Sequence, residues 1–202
     1  MKHAAALSFA IASVLTLAIM SPSAQTGGST RSIGPLMASV IVDIYSDFQC
    51  PHCKALAEET LPRVKEDYAL KGKIRLVHHD FPLPMHTYAR QAALFATAAD
   101  RIGKFDQVSD VLFKQQDVWG ENGKVEQTVD SVLTPAEAKK VHDLANDPAV
   151  IATVQRDIDL GTRLKINATP TIIITKNLQS NRVAGFVSYP ILKRYLDQLL
   201  AD

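Results

Sequence analysis

The chain has 202 residues, with 22 Lys plus Arg against 21 Asp plus Glu and a net charge of +1 at neutral pH. A near-neutral chain lacks the general electrostatic footprint of a nucleic-acid binder. With 47% hydrophobic residues, 21% charged and two cysteines, it is neither a disordered polar tail, nor collagen, nor a disulfide-dense miniprotein.

The N-terminus reads as an export leader over residues 1–23. Lys2 precedes an uncharged stretch from Ala4 to Met20, and the small residues Ser21 and Ser23 suit cleavage after Ser23. That stretch is shorter than the ~20 apolar residues of a membrane span and is interrupted by Ser8, Ser13 and Thr16. An uncleaved anchor is the alternative. Residues 24–37, rich in Ser, Gly and Thr, are expected to form a flexible lead-in. The folded body then spans 38–202.

Ser39 to Tyr45 is a β-rich run, expected as a buried central strand. Cys50 to Leu70 has helical spacing through Leu56, Leu61, Val64 and Tyr68, with Pro62 expected to kink or break it. Lys73 to His78 is a second strand. Helices are expected over Met85 to Ile102, Phe105 to Val118 and Pro148 to Leu164. Thr134, Pro135 and Glu137 form a capping box that starts another. Thr171 to Thr175 and Val183 to Phe186 read as an antiparallel strand pair, and Ile191 to Leu200 as a closing amphipathic helix. The mostly helical stretch from His79 to Thr171 far exceeds the roughly 30 residues of a whole βαβ unit. It is expected to be a helical lobe, about 82–165, inserted into an α/β domain.

The two cysteines form Cys50-Pro51-His52-Cys53 at a strand-to-helix transition. Cys50 there faces unpaired backbone N–H groups and the positive end of the helix dipole, which stabilise a thiolate. Pro51 suits the first helical position. His52 adds an imidazolium or a hydrogen-bond donor. Cys53, nearly a turn further in, is expected to be more buried and to close a small ring with Cys50. In an exported protein such a disulfide can persist. As a purely structural bond it would close too small a loop to add much stability. A zinc site needs two further ligands, and only His52, His78 and His79 are available. Asp43, in the central strand, is a candidate for proton transfer from Cys53. Asp47 is closer but falls in the turn. His78, His79 and His86 are read as scaffold or surface groups, Trp119 as packing, and the Asn167 sequon as chance.

The segment from Tyr45 to Lys54 resembles the active site of DsbA-like thiol:disulfide oxidoreductases. Asp80-Phe81-Pro82-Leu83 with His86 resembles the family's entry into its helical insert, and Ala168-Thr169-Pro170-Thr171 its cis-proline loop. The resemblance runs from about Ile33 to the C-terminus. It implies a thioredoxin-like α/β fold with an inserted all-helical subdomain. It also implies a cis Thr169–Pro170 bond beside Cys50, with Thr169 offering backbone hydrogen bonds to substrate. The Pro-His dipeptide is that of strongly oxidising members. The expected activity is introduction of disulfides into exported, periplasmic or otherwise extracytoplasmic proteins with reduced cysteines. No cofactor is expected beyond the redox-active Cys50–Cys53 disulfide, no metal, and a quinone-linked membrane partner as reoxidant. The alternatives are a reductase or isomerase on the same fold, and a zinc-binding or chaperone module.

Overall fold

The computed structural model describes Met1 and residues 31–201, so the expected leader and residues 24–30 lie outside the described residues. Five strands form one sheet: β1 (Ser32–Ile33), β2 (Val40–Ser46), β3 (Arg75–Asp80), β4 (Thr171–Lys176) and β5 (Gln179–Ala184), in the order β1-β3-β2-β4-β5. Among the described residues only β2 and β3 pair in parallel. The register matters for the site. Tyr45 at the end of β2 pairs with Thr171 at the start of β4, which brings the loop before β4 beside the loop after β2.

The helix after β2, labelled α1, runs in four abutting pieces, Pro51–Ala55, Leu56–Thr60, Leu61–Val64 and Lys65–Ala69. The second and fourth are π turns. Pro62 therefore does not break the helix as expected. It has no N–H to give the preceding turn, and a wider turn just before it absorbs the mismatch. Between β3 and β4 lie α2 (Ala89–Asp100), α3 (Phe105–Lys114), α4 (Gln116–Asn122), α5 (Val125–Asp130), α6 (Pro135–Ala145) and α7 (Pro148–Arg163). The sequence reading merges α3 with α4 and omits the short α5. The Thr134–Glu137 capping box opens α6. The last helix, α8 (Tyr189–Ala201), packs with α1. The expected Val183–Phe186 strand is shifted; β5 begins at Gln179, after a tight turn at Asn177 and Leu178, both with positive φ.

Alternation along β2 divides the core. Val40, Val42 and Ile44 face α1 and α8, together with Leu56, Val64, Ile172 and Leu196. Tyr45 turns to the other face and packs with Phe81, Ile166 and Ile173 under α7. A third cluster fills the helical lobe around Trp119 and extends to Phe48, Cys50 and Cys53. Apolar burial, worth ~25 cal/mol per Å², thus ties the cysteine loop to the lobe.

The lead-in reading needs correction over its described part. Ser32 and Ile33 pair with Val77 and Leu76 as β1. Arg31 is buried, and its guanidinium bonds Asp80 (2.8 Å) and Asp157 (2.5 Å). An arginine with buried carboxylate partners fixes a Ser/Gly-rich stretch that composition alone reads as loose. Elsewhere a glycine is needed for close approach: a Cβ on Gly161 of α7 would lie 2.6 Å from the Phe81 ring. Gly161→Ala is expected to lower stability by about 1–3 kcal/mol through overpacking. Urea unfolding checks this, and an unchanged midpoint would mean that Phe81 yields freely.

Candidate active site

Cys50 is the N-cap of α1, extended at φ −83° and ψ 122°, with Pro51 following at the first helical position. Both thiols are free and buried, Cys50 at 5% exposure and Cys53 at 1%. The hydrogen bond from the Cys53 thiol is the main cause that lowers the Cys50 pKa, to about 5. Burial opposes it, and the Thr169 side chain and the backbone N–H groups of Cys53 and His52 add to the lowering. For Cys53, burial and the adjacent Cys50 push the thiol well above its ordinary value, against donation from Asp47 N–H (3.4 Å) and from Ser46. One sulfur is a ready thiolate at neutral pH; the other holds its proton.

The Thr169–Pro170 peptide is cis, and the Cys50 thiol donates to the Thr169 carbonyl at 3.2 Å. The Thr169 hydroxyl is buried without a hydrogen-bond partner among the described residues, and it is one of the groups that support the thiolate, after the Cys53 thiol. Thus β4 delivers Thr169 and Pro170 to the sulfur, as the register requires. Pro51 and His52 are exposed at the rim. His52 helps the thiolate through its backbone N–H; the structure gives no hydrogen bond from its imidazole to sulfur.

Asp43 is not behind the cysteines. It lies one residue out of phase with Ile44 and Ser46, which line the cavity next to Cys53. Its side chain therefore emerges on the opposite face of the sheet, where it bonds His79 Nε2 at 2.9 Å. The alternation of β2 carries this signal, since Asp43 shares the face of Tyr45 and not that of Ile44. The acidic group of the site is Asp47, only 1% exposed. Its Oδ1 accepts from Gln49 N–H (2.7 Å), and its Oδ2 accepts from Leu83 N–H (2.7 Å) and contacts His86 Nδ1 (2.7 Å). Burial nonetheless raises its pKa. Asp47 ties the loop before Cys50 to the loop leading into the lobe, and His86 belongs to that tie rather than to the surface.

The lobe also grips the loop through glutamines that the sequence did not single out. Gln116 of α4, 4% exposed, donates from Nε2 to the carbonyls of Phe48 (2.7 Å) and Cys50 (3.1 Å). Gln49 reaches back to Gly120 O (3.0 Å) and accepts from Tyr88 N–H (2.8 Å). Gln116→Met would leave two buried carbonyls short of a donor. The expected cost is about 1–3 kcal/mol, with a Cys50 pKa moved upward as the loop relaxes. Iodoacetamide reactivity against pH reads the pKa, and an unmoved profile would reduce Gln116 to packing.

Two of the three extra ligands of a zinc reading are engaged elsewhere: His78 bonds Asp80 (3.0 Å), and His79 bonds Asp157 (3.0 Å) and Asp43. Among the described residues no group of three or more His, Cys, Asp or Glu could hold a metal ion.

The chain is similar to known proteins. The profile of a family described as Thioredoxin covers residues 26–189. The chain belongs to the thioredoxin family. Within it, the chain is 27% identical over 157 residues to a probable disulfide bond formation protein D of Bacillus anthracis, covering 73% of this chain and 70% of that one. Among solved structures, BdbD of Bacillus subtilis in its oxidised form aligns with a TM-score of 0.67 at 22% identity, over 85% of this chain and 93% of that one. DsbA1 of Wolbachia pipientis aligns at 0.69 and 19% identity, over 85% and 90%. This likeness is one of fold: a thioredoxin-like five-stranded sheet with a helical insertion, the fold class expected from the resemblance.

Proposed function

We infer that the chain is a thiol:disulfide oxidoreductase working as a dithiol oxidase on exported proteins with reduced cysteines. The carrying observation is the asymmetric pair: Cys50 at a helix N-terminus with its pKa lowered to about 5, and Cys53 buried beside it. A stabilised thiolate stabilises the reduced enzyme, so the Cys50–Cys53 disulfide is a better electron acceptor than an ordinary one. A substrate thiolate attacks Cys50 and forms a mixed disulfide; a second substrate thiol resolves it and leaves the enzyme reduced. Thr169 and Pro170 present the loop on which an extended substrate segment lies, with Pro51 and His52 at the rim.

The disulfide itself carries the electrons in this reading, with no metal or bound cofactor. A quinone-linked membrane partner returns the enzyme to the oxidised state. Placement outside the cytoplasm is supported by the leader-like residues 1–23. The working unit is the body from Arg31 and β1 onward, with its helical insert at about 82–165. Among the described residues no helix is long and apolar enough to cross a membrane.

The test is the reduction potential of the Cys50–Cys53 couple, from equilibration in glutathione buffers with thiol trapping. A value well above about −200 mV is expected. A value near or below about −270 mV would mark a reductase or an inert bond.

A further inference from the structure

Away from the cysteines, one groove carries positive charge that the protein does not itself neutralise. It is an open space of about 290 Å³ between β1, β3, α2 and α7, and Arg31, Ser32, Thr97, Arg101, Thr153 and Arg156 are among its lining residues. None of the residues placed at the Cys50 site lines it.

Arg101 follows the last turn of α2, and Thr153 and Arg156 lie on α7. Both arginines are spent on one neutral oxygen. Arg101 donates from Nη2 to Thr153 Oγ1 at 3.1 Å, and Arg156 from Nη2 to the same atom at 2.9 Å. The Thr153 hydroxyl gives its single proton to Ala149 O at 2.8 Å, so its oxygen accepts from both guanidiniums. Their Nη2 atoms therefore lie within about 6 Å of each other. Neither arginine makes an ion pair with a carboxylate among the described residues.

The carboxylates of the groove are committed inward. Asp157 Oδ1 bonds His79 Nδ1 (3.0 Å), and its Oδ2 accepts from Arg31 and from Asp80 N–H (3.1 Å). Asp100 Oδ1 accepts from Arg31 N–H (3.4 Å). His78 turns to Asp80 beneath. Arg31 is nine-tenths buried, and its Nε has no partner among the described residues. The lining thus sets three arginines and the His79 ring, which bonds a carboxylate through each nitrogen, against Asp100 and Asp157.

An oxyanion answers this geometry. Each guanidinium presents its N–H donors in a planar fork, so two of them this close can take different oxygens of one tetrahedral group. Exchanging the neutral hydroxyl for an ionised acceptor makes both hydrogen bonds charge-assisted, which is roughly twice as strong as the neutral kind. We propose that this groove is a binding site for a phosphate group, held between Arg101 and Arg156 in place of the Thr153 hydroxyl. The site stands apart from the redox chemistry and does not rest on the dithiol-oxidase reading.

The experiment is an NMR titration of the isotope-labelled full chain with inorganic phosphate, and with sodium chloride at matched ionic strength, read at the arginine side-chain Nε–H resonances. Saturable shifts of Arg101 and Arg156 are expected with phosphate and not with chloride. Arg101→Gln and Arg156→Gln should each weaken phosphate binding about tenfold or more. The double variant should lose it while keeping the wild-type melting temperature and dithiol oxidation, since both side chains are exposed and remote from the cysteines. Flotation with phosphatidylglycerol vesicles then separates the sources of the phosphate group. Co-flotation that the double variant loses assigns a lipid headgroup; saturable phosphate binding without such a loss assigns a free phosphate. Wild-type shifts that are the same in phosphate and chloride overturn the site, as does a double variant that binds phosphate like the wild type.

Discussion

Cys50→Ser protein is expected to lose dithiol oxidation down to the uncatalysed background, whereas Cys53→Ser protein is expected to stop at the mixed disulfide. The two sulfurs differ in what surrounds them. Cys50 has its pKa lowered to about 5 and faces the Thr169 loop, where a second chain can lie. Cys53 lies beneath, against Asp47 N–H and Ser46, with its proton firmly held. Without Cys53, the Cys50 thiolate still attacks a peptide disulfide and expels one peptide thiol, but nothing then displaces the attached half. Intact-mass measurement after incubation with a peptide disulfide should find nearly all Cys53→Ser protein carrying one peptide and none of the Cys50→Ser protein. A peptide-bearing Cys50→Ser protein would reverse the assigned roles.

The second large effect lies on the far face of the sheet. His79 stacks on Tyr45 at 4.6 Å and bonds two carboxylates, Asp157 through Nδ1 and Asp43 through Nε2. Two carboxylate acceptors require both ring nitrogens to be donors, so the ring is an imidazolium. Burial alone would lower its pKa; the hydrogen bonds and charges of Asp157 and Asp43 outweigh it and raise the value to about 9. The folded value exceeds the unfolded value of ~6.5, so the stabilisation is complete below pH ~6.5 and is lost as pH rises through about 9. A rise of this size is ~3 kcal/mol. Urea unfolding of the wild type is therefore expected to weaken by about that much between pH 6 and 9. His79→Gln removes the cation between two carboxylates. It should cost about 3–5 kcal/mol at pH 6 and flatten the pH dependence. A variant that keeps the wild-type slope would show that another group titrates.

Most of the frame was legible because it follows from periodicity and punctuation. The largely apolar run of β2, the capping box of α6 and the long helical stretch between β3 and β4 each have a local cause. The site was legible where chemistry is local too: a Cys-Pro-His-Cys run at a strand-to-helix junction carries its own electrostatics. What could not be read depends on contacts distant in sequence. Gln116 and Arg31 look like ordinary polar residues until the fold places one on the Cys50 carbonyl and the other between Asp80 and Asp157. Asp43 failed for a different reason: its parity along β2 was available and outweighs its nearness in sequence to Cys50. Asp47 and His86 were judged individually, but their meaning lies in the pair, 39 residues apart in the chain.

The amide grip of Gln116 and Gln49 has a consequence for how this chain can be cut. The lobe interrupts the sheet domain in sequence, which invites its treatment as a detachable module. Phe48, Cys50 and Cys53, however, share one apolar cluster with Trp119 and Leu112, and the loop carbonyls find their donor on α4. A minimal version that joined β3 directly to β4 would keep every strand of the sheet and both cysteines. It would also lay bare one wall of the dithiol, let water reach Cys53 from the side, and erase the difference between the two sulfurs. The smallest unit that preserves the redox asymmetry is the sheet and lobe together.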